Sequence, residues 1–195
     1  MLRETRKKDT KERIVRHAIQ LFKEKGYDNV TVDEITKICG IAKGTFFNYF
    51  PKKESVLLHL VNSYAERMDE IVGQHREGDL KDRLLKIFGE LMHIYVQHAD
   101  LLRFALIETI KSAMESHEEG LTNLSVFQET VRDMLEKAKE GGSVRSRLDA
   151  NASASVLVAI FYHTLIGWSG TAGEEKMMTV LRQQLDAVWE GIAGE

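Results

Sequence analysis

The sequence predicts an all-α protein in two parts, an N-terminal three-helix helix-turn-helix domain followed by a larger C-terminal helical domain. Three observations carry this. Helix breakers are scarce, with one proline and 14 glycines in 195 residues, and Leu, Ala, Glu and Lys are abundant. Apolar residues recur three and four apart along most of the chain, and no useful stretch alternates as a strand would. The charge is also split. Residues 1–53 hold 13 Lys and Arg against 7 Asp and Glu, a net of +6, and the remainder is −9, within an overall −3. A basic head on an acidic body points to a polyanionic partner for the head.

The first helix is expected from Asp9 or Thr10, with Glu12 three residues beyond Asp9 as in a capping box. Ile14, Ala18, Leu21 and Phe22 line it, and Gly26 ends it. Thr31 and Glu34 form a second capping box that opens helix two, with Ile35, Ile38 and Cys39 inward. Gly40 marks a turn. Helix three starts near Lys43 and stops at Phe50, because Pro51 disfavours helical geometry in the residue before it.

A fourth helix restarts at Glu54 and keeps its period through Val56, Leu57, Leu60, Val61, Tyr64, Met68, Ile71 and Val72, until Gly78-Asp79 breaks it. The next runs through Leu84, Leu85, Phe88, Leu91, Met92 and Tyr95. After an Ala99-Asp100 joint, helices are expected over 101–114 and 121–139, then a Gly141-Gly142-Ser143 loop. Asp149 or Asn151 caps a long uncharged helix to Trp168. Gly170-Thr171-Ala172-Gly173 separates it from a last helix over 176–192.

Residues 30–55, VTVDEITKICGIAKGTFFNYFPKKES, have the spacing of a helix-turn-helix. Ile35, Cys39, Ile41 and Phe46 fall where two crossed helices share a core. Lys43, Gly44, Thr45, Asn48 and Tyr49 are left for the other face. Duplex DNA asks such an element for small residues and free N–H groups near phosphate, which Gly44 and Thr45 supply. It asks for side chains that reach base edges, for which Lys43 and Asn48 are candidates. It also asks for flanking cations that release counterions, here Lys52 and Lys53. Arg6-Lys7-Lys8, before helix one, is either an arm that reaches the DNA or a solvated tail.

Between Ile14 and Leu57 the residues resemble the N-terminal domain of tetracycline-repressor-like (TetR family) transcriptional regulators. The matches are A-x-x-L-F at 18–22, Gly26-Tyr27, T-V-x-E-I at 31–35, K-G-T-F at 43–46 and Y-F-P-x-K-E at 49–54. The resemblance implies a homodimeric helical repressor that binds a double-stranded operator and is controlled by a small apolar or amphipathic ligand. It implies DNA binding by residues 1–53, and ligand binding and dimerisation by residues 54–195. By position, Thr31 would meet phosphate, Lys43, Gly44, Thr45, Phe47, Asn48 and Tyr49 would face the groove, and Lys53 would grip the backbone. Three residues depart from the pattern. Phe47 replaces a usual tyrosine and loses its hydroxyl-to-phosphate bond. Ala42 replaces a serine and weakens the cap of helix three by about 1 kcal/mol. Thr36 stands where alanine is usual.

In the body, Leu181, Leu185 and Val188 on the last helix form one apolar seam, and Val156, Ala159, His163 and Gly167 on the uncharged helix form another. They are the candidate dimer interface, the alternative being the subunit's own core. Met68, Phe88, Met92, Tyr95, Phe104, Met114, Phe127 and Phe161 are candidates for a ligand cavity, because methionines and aromatics adapt to apolar ligands.

No serine-hydrolase elbow, phosphate loop, dinucleotide fingerprint or metal-ligand spacing occurs, so no catalytic residue, cofactor or metal is expected. The first residues, MLRETRKKDTKER, have no apolar run, so a cleaved signal is not expected. The uncharged stretch around 150–173 carries too many polar side chains for an expected membrane span. The single cysteine fits a reducing cytoplasmic setting. A helical ligand-binding or protein-interaction protein without DNA readout is the alternative reading.

Overall fold

A computed structural model describes residues 2–115, 118–145, 147–168 and 173–193, without the side chains of residues 2–4, 60–66, 118–123 and 193. The regular elements among these residues are helices: α1 (Leu2–Lys25), α2 (Val32–Cys39), α3 (Lys43–Phe47), α4 (Ser55–Gln74), α5 (Leu80–Gln97), α6 (Ala99–Met114), α7 (Glu118–Glu140), α8 (Ala150–Gly167) and α9 (Glu174–Ala193). A single 3-10 turn, Tyr27–Asn29, lies between α1 and α2. The expected Gly170-Thr171-Ala172 break and the side chains of Leu60, Val61, Tyr64 and Leu121 fall outside the described residues.

The chain forms two compact units, Met1–Tyr64 with Asp100–Asn123, and Ala65–Ala99 with Leu124–Glu195. In the first, Ile14, Ala18, Ile35 and Phe46 are fully buried and Phe22 and Phe50 nearly so. They lock α1, α2 and α3 around one small apolar centre. Burial of Cys39 there pushes its thiol pKa up, as befits a core residue. Tyr27 bridges to α6 in the same unit: its ring lies 5.0 Å from Phe22 and 4.5 Å from Phe104.

In the second unit, α9 packs on α8 and α5. Phe88, Phe127 and Phe161 meet with centroids 5.0–5.7 Å apart, and Tyr162 adds an edge to Phe127. Burial pushes the Tyr162 phenol up to about 12. Gly89 gives α9 room, since a Cβ there would stand 3.0 Å from the Met178 side chain. α8 is long and apolar enough to cross a membrane by length and composition, and 44% of it is buried inside the fold.

Side-chain caps open α2, α5 and α8. Asp79 accepts from the Asp82 N–H at 3.1 Å to open α5, and Asp149, rather than Asn151, accepts from the Ala152 N–H at 2.8 Å to open α8. The expected start of α1 is corrected. Thr10 does not open it, because its hydroxyl donates back to the Arg6 carbonyl at 2.8 Å inside a helix already running from Leu2. Arg3, Glu4, Arg6, Lys7 and Lys8 are mostly good helix formers, and nothing breaks the run. Arg6-Lys7-Lys8 is therefore helical.

Candidate nucleic-acid interface

The helix-turn-helix is built by two local devices. At its start, Thr31 and Glu34 exchange bonds. The Glu34 N–H donates to the Thr31 hydroxyl oxygen at 3.2 Å, and the Thr31 N–H donates to the Glu34 carboxylate at 3.0 Å. Lys25 Nζ donates to the same carboxylate at 2.7 Å. These bonds, led by Lys25, lower the Glu34 pKa to about 2. At the turn that ends α2, Gly40 takes a left-handed φ of 63°. Its N–H bonds the Lys37 carbonyl, and the Ile41 N–H bonds the Thr36 carbonyl at 3.0 Å. That is a Schellman closure, which residues with a Cβ adopt reluctantly. Thr36 is buried without penalty because its hydroxyl donates to the Asp33 carbonyl at 3.0 Å.

α3 is shorter than its expected reach to Phe50. The regular helix closes at Phe47, and Tyr49 N–H tightens the exit by bonding the Phe46 carbonyl at 2.9 Å. Ala42 contributes no side-chain cap at its start. Lys43, Gly44, Phe47 and Asn48 are exposed, while Thr45 and Tyr49 are half-buried. A Cβ added at Gly44 would meet nothing within 4 Å, so this part of α3 presents bare backbone. Lys43 Nζ sits 2.9 Å from an Asp33 carboxylate oxygen, with both side chains more than half exposed. That pair ties the starts of α2 and α3 together and leaves the ammonium accessible.

Two expected phosphate contacts are placed differently. Lys53 does not extend into solvent. Its Nζ donates to the carbonyls of Tyr27 and Val30, each at 2.9 Å, and lies 4.2 Å from the centre of the Tyr27 ring. This corrects the expectation that it grips the DNA backbone, because three partners inside the unit already hold the charge. Lys52 Nζ bonds Glu108 of α6 at 2.8 Å, and Glu108 is only 4% exposed. Neither partner was visible to sequence reasoning. Thr31 is exposed, but its hydroxyl is engaged in the cap.

In the body, Met68, Phe88, Met92, Tyr95, Phe127 and Phe161 are all buried. Phe88, Phe127 and Phe161 fill space against one another. Phe104 lies with Tyr27 in the first unit. Met114 is corrected: at 81% exposed it lines no interior space of the protomer. An open cleft of about 170 Å³ lies beside Trp168, Lys176 and Met177, with His163 and Gly167 on its wall. None of the expected cavity residues borders it.

The candidate dimer seam divides. Val156, Ala159, His163 and Gly167 are exposed on α8, with Ile166 beside them at 63%. Leu181 and Leu185 are corrected to the protomer's own core, both being 0% exposed. The outward stripe of α9 is instead Val180, Gln184, Ala187, Val188 and Gly191, at least partly exposed. Gln184 joins the two outward faces, bonding His163 Nδ1 at 2.9 Å and the Thr164 hydroxyl at 3.1 Å.

A helix-turn-helix that turns a bare helix face with an accessible lysine to solvent has the form of an element that docks in the DNA major groove. Residues 14–60 match the family described as bacterial regulatory proteins, tetR family. The chain is 34% identical over 103 residues to the HTH-type transcriptional regulator YuxN of Bacillus subtilis, a match covering 52% of this chain and 35% of that one. The chain thus spans about a third of that relative. It is 21% identical over 183 residues to the fatty acid metabolism regulator protein of Bacillus subtilis, 92% of this chain and 93% of the relative. Among solved structures, FadR of Thermus thermophilus, a TetR-family repressor in complex with lauroyl-CoA, shares the fold with a TM-score of 0.73, 24% identity, and 95% and 96% coverage of the two chains.

Proposed function

We propose that the chain is a ligand-responsive transcriptional repressor that works in the cytoplasm as a homodimer on a palindromic operator. Residues 1–53 read DNA, and residues 54–195 bind the ligand and the second copy. The carrying observation is the solvent face of α3, with Lys43, Gly44, Phe47 and Asn48 exposed on a head of net charge +6. One such helix reads only a few base pairs, so specificity calls for two copies with their recognition helices about 34–36 Å apart. The outward faces of α8 and α9 supply the surface for pairing. The released state follows when a ligand binds better to a dimer of another spacing.

The ligand is mainly apolar or amphipathic. The buried Met and Phe side chains of the second unit support that reading, as does the lauroyl-CoA held by a protein of like fold. No catalytic role is assigned to any residue.

Selection from a random duplex library, followed by salt titration, tests the proposal. A dimer that engages six to ten phosphates loses about 10³- to 10⁵-fold in affinity between 50 and 200 mM salt. Addition of a long-chain acyl-CoA should then release the selected duplex. Enrichment of no sequence at low salt would refute the reading.

A further inference from the structure

The four exposed residues of α3 and its C-cap, Lys43, Gly44, Phe47 and Asn48, sit at positions i, i+1, i+4 and i+5, on one side of the helix. Three of them suit water: an ammonium, a bare backbone and a carboxamide. Phe47 does not, yet it is 46% exposed. Its ring meets that of the fully buried Phe46 edge to face, at 5.5 Å and 88°. One ring anchors in the core and braces the other, which stands out from the helix. Exposed aromatic area carries a hydration cost that contact with an apolar group would remove.

A phenyl ring has no hydrogen-bond donor or acceptor with which to read a base edge or hold a phosphate oxygen. Among the groups that base pairs present in the major groove, the apolar one is the thymine C5 methyl. Gly44, three residues earlier, carries no side chain to hold α3 away from the groove. From these features, and resting on the DNA-reading assignment above, we infer that Phe47 is a specificity-determining residue that packs against the 5-methyl group of one thymine in each half-site. Its contribution goes to base identity. Affinity common to all sequences comes from Lys43 and the net positive charge of the head.

The experiment uses the full-length protein and the duplex selected from the random library. Each thymine is replaced in turn by deoxyuridine, which removes only the methyl group. Wild-type protein, Phe47→Ala and Phe47→Leu are titrated by fluorescence anisotropy. At one thymine per half-site, loss of the methyl should weaken wild-type binding by about fourfold, the value of one buried methyl-sized group. The same replacement should leave Phe47→Ala unmoved, and Phe47→Leu should fall between. Circular dichroism melts should match wild type, since the ring is half out of the fold. Equal weakening of Phe47→Ala on every duplex, with no thymine coupled to it, would place the ring against sugar and phosphate and overturn the inference while leaving the DNA reading intact. Failure to select any duplex would overturn both.

Discussion

At the scale of single residues, the start of α2 depends on a charge as well as on a cap. Glu34 accepts from Lys25 Nζ and from the Thr31 N–H and hydroxyl, and its pKa falls from an ordinary 4.5 to about 2. A carboxyl whose folded value lies below its unfolded one contributes stability above the unfolded value and loses it as pH falls through the folded one. The contribution is thus whole above pH 4.5 and gone near pH 2. Glu34→Gln keeps an acceptor but not the charge. Urea melts should find it less stable than wild type at pH 7, with the difference closing between pH 4.5 and pH 2. A difference that persists at pH 2 would show that the charge is not what Thr31 and Lys25 recognise. This exchange was legible in the sequence, because a capping box needs only residues three apart.

At the scale of elements, the ion pair between the turn after α3 and α6 is a long-range tie within the first unit. Glu108 is buried and bonds Lys52 at 2.8 Å, and this bond is the main cause raising the Lys52 pKa. Lys52 itself remains partly exposed, so screening reduces its share. The larger cost of breaking the pair falls on Glu108, left charged with no cation beside it. Lys52→Met should therefore cost about 2 kcal/mol in urea melts. Lys52→Met with Glu108→Leu should recover most of that, because a buried pair replaced by apolar groups is often neutral. Additive losses in the double variant would mean that the two side chains do not depend on each other. Sequence reasoning assigned Lys52 and Lys53 to DNA because they are cations beside a recognition helix. Their partners, Glu108 and the carbonyls of Tyr27 and Val30, are distant in the chain, and composition carries no trace of them. α9 shows a related limit. Leu181 and Leu185 form one apolar stripe, and Val180, Ala187 and Val188 form part of another. Helical period reveals both faces, but only packing against α8 and α5 decides which turns inward.

At the scale of the whole molecule, the proposed pairing of two reading heads rests on the outward faces of α8 and α9. Small residues dominate there: Ala152, Ala159 and Gly167 on α8, Ala187 and Gly191 on α9, all exposed. Small side chains let helices of two copies approach closely, and Val156 and Ile166, 45% and 63% exposed, supply apolar area beside them. In a lone protomer Ala159 faces solvent, so Ala159→Glu should leave the folded subunit's melting profile within about 0.5 kcal/mol of neutral. Between two copies the same carboxylate would be buried without a partner and opposed by its symmetry mate. Sedimentation should then show wild-type dimers and Ala159→Glu monomers at micromolar concentration. Operator affinity should fall together with the dimer, since each half-site would be held alone. A variant that stays dimeric would move the pairing surface off α8. A wild type that stays monomeric, yet holds a two-fold duplex, would mean that the DNA itself brings the two copies together.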